Sequence, residues 1–330
     1  MSDRTEKLTN ALLGQVVTLA RLEAGEQQRI THRLVPLWSR LRTHVAVDDP
    51  TAPPTLPERL RRVKALVALV TQLTTETFGA IAATHQAVRQ DIADWVQHET
   101  QRLLQTIGEA ALFTRTLTQQ ALTRVVDAAL VFGAPIRDWW SRQAATVQQQ
   151  VGDRLRQGVL QEQPLPRLLQ EVDAIQATTT RNTDTLTHGS LASVHQGTMT
   201  ALTEANSARL DGVAWITTLD SRACPRCIAL SGQSWTLDHE PLHGSRAWPG
   251  EPPLHGLCRC ILLALPQGET VPRDQTFDHW LRQQPEAEQR AILGPARFRL
   301  WSEGKLKLSR LVDQHHRALT LEQLRSESAA

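Results

Sequence analysis

The chain has no tyrosine, only two methionines and five phenylalanines in 330 residues. Any core it builds must therefore rest on aliphatic side chains and its nine tryptophans. It also lacks excess charge: 36 basic against 34 acidic residues give a formal net charge of +2. Residues 1–200 carry 21 basic and 19 acidic residues, and the remainder carries 15 of each, so no segment is a polybasic tail. Gross charge thus gives no indication of sequence-independent gripping of nucleic acid. Lysine is scarce, at Lys7, Lys64, Lys305 and Lys307, and the positive charge is nearly all arginine. No run of 18 wholly apolar residues occurs, and the segment MSDRTEKLTNALL has early acids and no uninterrupted apolar core. The expectation is a soluble protein made in a cytoplasm, with no membrane partner and no secretory signal.

Cysteine is rare and concentrated. All four lie within 37 residues, as Cys224-x2-Cys227 and Cys258-x-Cys260, and His255 precedes the second pair by three. Thiols bunched in this way in a reducing compartment point to a metal, with buried thiols or a disulfide pair as the alternatives. The C-x2-C spacing lets two sulfurs reach one zinc ion at about 2.3 Å. Five donors, Cys224, Cys227, His255, Cys258 and Cys260, compete for four positions. The four cysteines are the first choice, with His255 behind them or substituting for one. An ion closed by four protein ligands has no open position, so the expected role is structural. His239 and His243 read as solvated loop residues. Arg226 and Arg259 sit beside the thiolates and would temper their charge.

Residues 1–200 read as successive amphipathic helices. Leu8, Leu12, Val16, Leu19 and Leu22 form one stripe. Asp48 to Pro57 is a break, with a new helix starting at Thr55. Gly133-Ala134-Pro135 is the next break, and Gln163 to Pro166 a turn followed by a helix through Val172. Another helix spans 186–210 and ends at the turn signal Asp211-Gly212. With so few aromatics this region has a thin core, and the expectation is an extended set of helices that pack on partners. In the pair Trp139-Trp140, at least one ring should face outward.

The pattern then changes. Val213–Thr218, Ser234–Thr236 and Ile261–Leu265 are short strand candidates around the cysteines, and Trp215 and Trp235 are the candidate core beneath the ion. Strands too few to bury a core, pinned by metal, follow the logic of a zinc ribbon. Asp220 and Arg222 would close the turn before Cys224, with Arg222 pairing Asp220 or a thiolate; a contact with a partner or a DNA phosphate is the alternative. The fold class expected is mainly α: an extended helical region over 1–150, a zinc-ribbon-like α+β domain over 151–268, and a helical C-terminal extension over 269–330. No Gly-rich phosphate loop, H-E-x2-H or Ser/His/Asp pattern is present, so the chain reads as a non-enzyme.

The stretch Trp215 … Asp220-x-Arg222-x-Cys224-x2-Cys227 … Gly232, then Pro252-Pro253-x-His255-x2-Cys258-Arg259-Cys260, resembles the Mu F-like phage head morphogenesis family. Leu155–Val172 is similar to that family's lead-in helices. Phe277 to Pro285, Ile292 to Gly294, Gly304 to Leu306 and Leu319 to Leu321 are similar to the extension of some minor head proteins. The chain departs from the family at Thr187-His188-Gly189-Ser190, where relatives carry Arg-Thr-Glu. The resemblance covers about 150–325. It implies a virion minor capsid protein inside the head near the portal vertex, with the portal protein as partner. Major capsid or scaffolding protein and packaged DNA are further partners it implies, with roles in assembly, DNA packaging and ejection. The alternative reading is a zinc-containing nucleic-acid-binding protein.

Overall fold

The structure, a computed structural model, describes residues 3–243 and 245–329. It is mainly helical, with 66% helix and 7% strand, and holds a small sheet. Among the described residues up to 205 there are five α-helices: α1 (Asp3–Val47), α2 (Leu56–Thr106), α3 (Gln119–Ala128), α4 (Ile136–Leu160) and α5 (Leu165–Ala205). A two-stranded hairpin, β1 (Leu130–Val131) with β2 (Ala134–Pro135), separates α3 from α4. Then come β3 (Leu210–Ile216), α6 (Pro225–Leu230), β4 (Ser234–Trp235), β5 (Pro241–Leu242) and β6 (Ile261–Pro266). Among the described residues after β6 there are four short α-helices: α7 (Phe277–Arg282), α8 (Glu286–Leu293), α9 (Pro295–Ser302) and α10 (Leu321–Ala329).

The chain divides into two compact units that are not continuous in sequence. One takes residues up to Leu19, Ala93–Val126 and everything from Ala192; the other takes Ala20–Ile92 and Asp127–Leu191. Residue 150, where the sequence suggested a boundary, lies inside α4.

The second unit has a core of its own, and here the thin-core expectation fails. Leu34, Trp38 and Leu41 of α1, Val70, Phe78 and Ile81 of α2, Trp140, Val151 and Leu155 of α4, and Leu186 of α5 all belong to one buried cluster. Aliphatic side chains at helical spacing fill the space that aromatics usually take. Trp140 is buried, while Trp139 is covered by Phe132 and by Arg142, whose guanidinium lies 4.8 Å from its ring centre. The stripe that begins at Leu8 does not continue through Leu22, which is 40% exposed; Glu23 and Glu26 take its place in the interior. By length and composition α2 also passes as a candidate membrane span, which the search for wholly apolar runs missed. Val70, Leu73, Phe78 and Ile81 of the same helix are buried inside the protein.

The segments 165–172 and 186–210 are not two helices. They belong to the single 41-residue α5, which ends at Ala205. Asp211-Gly212, expected as a turn, lies inside β3 at a register shift against β6. Glycine is required there because a Cβ at position 212 would stand 1.9 Å from the Trp235 carbonyl oxygen.

The first unit holds the sheet, in antiparallel order β5-β4-β3-β6. Trp215 pairs with Leu262 and Val213 with Trp235. All of β6 and nearly all of β3 is buried, so both strands are covered on both faces although β6 is the edge of the sheet. One face carries Val213, Trp215 and Leu262 together with Trp235 and three of the cysteines. Leu263 and Ala264 line one small cavity together with Leu8 and Leu12 of α1, Leu104 of α2 and Met199 of α5. The C-terminal helices pack on α6: Ile228 and Ala229 share a cluster with Phe277, Leu281, Phe298 and Trp301.

Candidate metal centre

Strand β3 runs out at Ile216 into Thr217 and Thr218, whose hydroxyls tie down the two cysteine segments. Thr217 Oγ1 donates to the Cys227 carbonyl at 2.8 Å, and Thr218 Oγ1 donates to the Arg259 carbonyl at 3.0 Å. Asp220 closes the next turn by accepting from the Arg222 amide. Cys224 then caps α6, its sulfur accepting from the Cys227 amide at 3.4 Å, and Pro225 opens the helix. The first cysteine pair therefore sits on the opening turn of a helix, and the second lies on the approach to β6.

None of the four cysteines is in a disulfide. Cys224 Sγ lies 3.4 Å from Cys227 Sγ, and His255 Nε2 lies 3.2 Å from each. Cys227 and Cys258 sulfurs are 3.8 Å apart. Two overlapping groups result, Cys224–Cys227–His255 and Cys227–Cys258–Cys260, each with donor atoms within 4.8 Å of one another. All five donors picked out in the sequence thus form one cluster, and it could bind a metal ion. Thiolate and imidazole at these separations fit a tetrahedral ion with bonds of about 2.0–2.3 Å.

Protonation follows from this crowding. The Cys224 thiol is lowered to about 4, chiefly by its hydrogen bond with Cys227 and then by His255. Hydrogen bonding with Cys227 and Cys260 holds Cys258 far below the usual thiol range. Hydrogen bonds from Cys224 and Cys258 push Cys227 up, and burial pushes Cys260 up. The thiolates of Cys224 and Cys258 raise His255 to about 10. Thiols and an imidazole that share protons in this way are the groups that give them up when a cation binds.

Around the donors the polar contacts are specific. Arg259 grips Asp220 through both carboxylate oxygens, at 2.5 and 2.8 Å. That pairing holds the Asp220 carboxyl below its usual range. Arg222 also pairs with Asp220, as expected, but more loosely, at 3.7 Å with 78% of its side chain exposed. Arg226 instead donates to the Pro249 carbonyl at 3.4 Å. Trp215 and Trp235 are fully buried in the cluster that contains Cys227, Cys258 and Cys260. His239 and His243 are exposed and outside the donor groups; His239 stacks on Trp248 at 4.2 Å.

A second polar cluster escaped the sequence reading. In the helical unit, His85 is enclosed, with Nδ1 2.9 Å from Glu26 Oε1 and Nε2 3.0 Å from Ser190 Oγ. His188 Nδ1 lies 2.9 Å from Glu23 Oε2. The order serine–histidine–carboxylate is that of a nucleophile relay. Both His85 and Ser190 are 0% exposed, so no substrate reaches them in this conformation. The signal was present: Glu23 and Glu26 continue the three- and four-residue spacing toward Ile30 and Leu34, positions a core helix gives to apolar residues.

No family model, no curated protein and no solved structure matches this chain.

Proposed function

We propose that this protein is a minor head protein of a tailed phage. It sits inside the capsid near the portal vertex, binds the portal protein, and acts in head assembly and in DNA packaging and ejection. The observation that supports the reading is convergence. The two halves of the Mu F-like pattern, Asp220-x-Arg222-x-Cys224-x2-Cys227 and His255-x2-Cys258-Arg259-Cys260, meet as one donor cluster joined by the Asp220–Arg259 pair. Sequence order alone did not require that meeting.

The ion assigned to the site is zinc, because a sulfur-rich donor set with one imidazole suits a borderline-soft cation of tetrahedral habit. Its role is structural. Four protein ligands close the coordination sphere, and the ion pins β3 and β6 to α6, the helix on which the C-terminal helices pack. Under this reading metal pins the short strands together, as in the zinc-ribbon logic, with the first cysteine pair on a helix turn. Major capsid or scaffolding protein and packaged DNA are further partners under this reading.

Co-expression with the portal protein of the same phage tests it. The expected result is a stable complex of defined stoichiometry that carries one zinc per copy of this chain. A zinc-loaded chain that ignores portal protein but retains DNA in a salt-sensitive manner would replace it with the nucleic-acid-binding reading.

A further inference from the structure

Five donors converge where a tetrahedral ion takes four, so one must stand outside. Bonds of about 2.0–2.3 Å at tetrahedral angles set donor–donor separations of roughly 3.3–3.8 Å. His255 Nε2 sits 3.2 Å from both Cys224 Sγ and Cys227 Sγ, which are themselves 3.4 Å apart. These three atoms form one nearly equilateral face of such a site. Cys258, 3.8 Å from Cys227, has the sulfur–sulfur separation expected of the fourth corner.

Cys260 is placed differently. Its sulfur lies within 4.8 Å of Cys227 and Cys258, and like Cys258 it stands outside the group formed by Cys224, Cys227 and His255; what sets Cys258 apart is its 3.8 Å contact with the Cys227 sulfur. Besides its hydrogen bonds with Cys227 and Cys258, the Cys260 sulfur reaches the Thr217 hydroxyl, 3.9 Å away. It adjoins the first residue of β6 and is 8% exposed within the Trp215 and Trp235 cluster, a setting in which a small apolar thiol packs well. Cys224 differs in that its sulfur, held by the Cys227 amide, lies directly on the face it shares with Cys227 and His255.

We propose that Cys224, Cys227, His255 and Cys258 are the metal ligands and that Cys260 remains a buried thiol beside them. This rests on the metal-binding reading above and alters the first choice made from the sequence, which favoured the four cysteines. A site of three thiolates and a neutral imidazole carries one negative charge fewer than a four-thiolate site. It therefore asks less of Arg259, whose guanidinium is already engaged by Asp220.

Cobalt(II) loading of the full chain without oxygen tests the assignment, because thiolate-to-cobalt absorption scales with the number of sulfur ligands. The wild type should take up one cobalt with the spectrum of a three-sulfur, one-nitrogen site. Cobalt-loaded protein should also show a contact-shifted, exchangeable imidazole N–H resonance that is absent in His255→Ala. Cys260→Ser should keep the spectrum and an affinity within about twofold, whereas His255→Ala should lose at least about tenfold in affinity. Cys260→Val, which suits an apolar setting, provides the same comparison if the serine variant does not fold. Loss of a sulfur band in both Cys260 variants, or an unchanged spectrum in His255→Ala, overturns the assignment while leaving metal binding intact. A wild-type chain that takes up no cobalt overturns the metal-binding reading itself, and the assignment with it.

Discussion

Asp220 and Arg259 face each other through two hydrogen bonds, at 2.5 and 2.8 Å, and thereby join the turn before the first cysteine pair to the segment between Cys258 and Cys260. The pair touches no donor atom directly; its effect is to hold two peptide segments at the separation the ion needs. Asp220→Asn keeps the turn hydrogen bond to the Arg222 amide but loses the charged clamp. Metal affinity should fall by about tenfold, the range seen when residues that orient ligands are removed. Competition against a chromophoric chelator measures it, and Arg222→Gln, which alters the exposed neighbour, should have little effect.

Removing two ligands should unfold the small module and spare the helical unit. In Cys224→Ser/Cys258→Ser, residues 213–265 should lose protection from hydrogen exchange. The loss should spread to α7 and α9, because Phe277, Phe298 and Trp301 pack on Ile228 and Ala229 of α6. Far-UV circular dichroism should fall only slightly, since α1, α2, α4 and α5 carry most of the helix. Unchanged protection over 213–265 in the variant contradicts a structural role for the ion.

His195 gives the fold an acid limit. It is 2% exposed on α5, and burial lowers its pKa from 6.5 to about 4. The unfolded chain therefore binds a proton that the folded chain refuses between these two values. Stability from this residue is complete above about 6.5 and declines as pH falls toward 4, by about 3 kcal/mol in all. Burial lowers His85 in the same direction. Urea midpoints from pH 7.5 to 4 should slope less in His195→Leu than in the wild type.

The Glu26–His85–Ser190 chain should behave as a buried structural bond. His85→Ala removes the partner of a carboxylate whose side chain is only 4% exposed, leaving Arg29 at 2.9 Å to hold it. The expected cost is about 3 kcal/mol by urea denaturation. Ser190→Ala, which leaves the His85–Glu26 contact in place, should cost about 1 kcal/mol.

The metal donors were legible because their signal is chemical and local: four rare residues at ligand spacing in one window. The helices were legible wherever apolar spacing and proline breaks agreed, as at Pro50–Pro57 between α1 and α2. Three features were not. The Thr-rich middle of α5 reads as a gap between two helices, yet Thr179, Thr183 and Thr187 are buried and return their hydroxyls to carbonyls of the preceding turn. Asp211-Gly212 has the composition of a turn, but its glycine serves a close approach of β3 to the Trp235 carbonyl. Glu23 and Glu26 stand at core-facing spacing, but the partners that let them be buried, His188 and His85, lie far away in sequence on other helices. In each case the deciding contact is long-range or made by the backbone, and local composition carries no trace of it. His255 lies between these cases: its residue type was visible, whereas its 3.2 Å approach to both sulfurs of the first pair required the fold.

Metal content of the purified full chain tests the central claim most directly, by elemental analysis and by mass spectrometry under native and denaturing conditions. The account predicts one zinc per chain, present in the native mass, released on denaturation and absent from Cys224→Ser/Cys258→Ser. A wild-type chain purified without chelator that carries no metal, takes none up, and melts at the same temperature with zinc as without it would contradict the account.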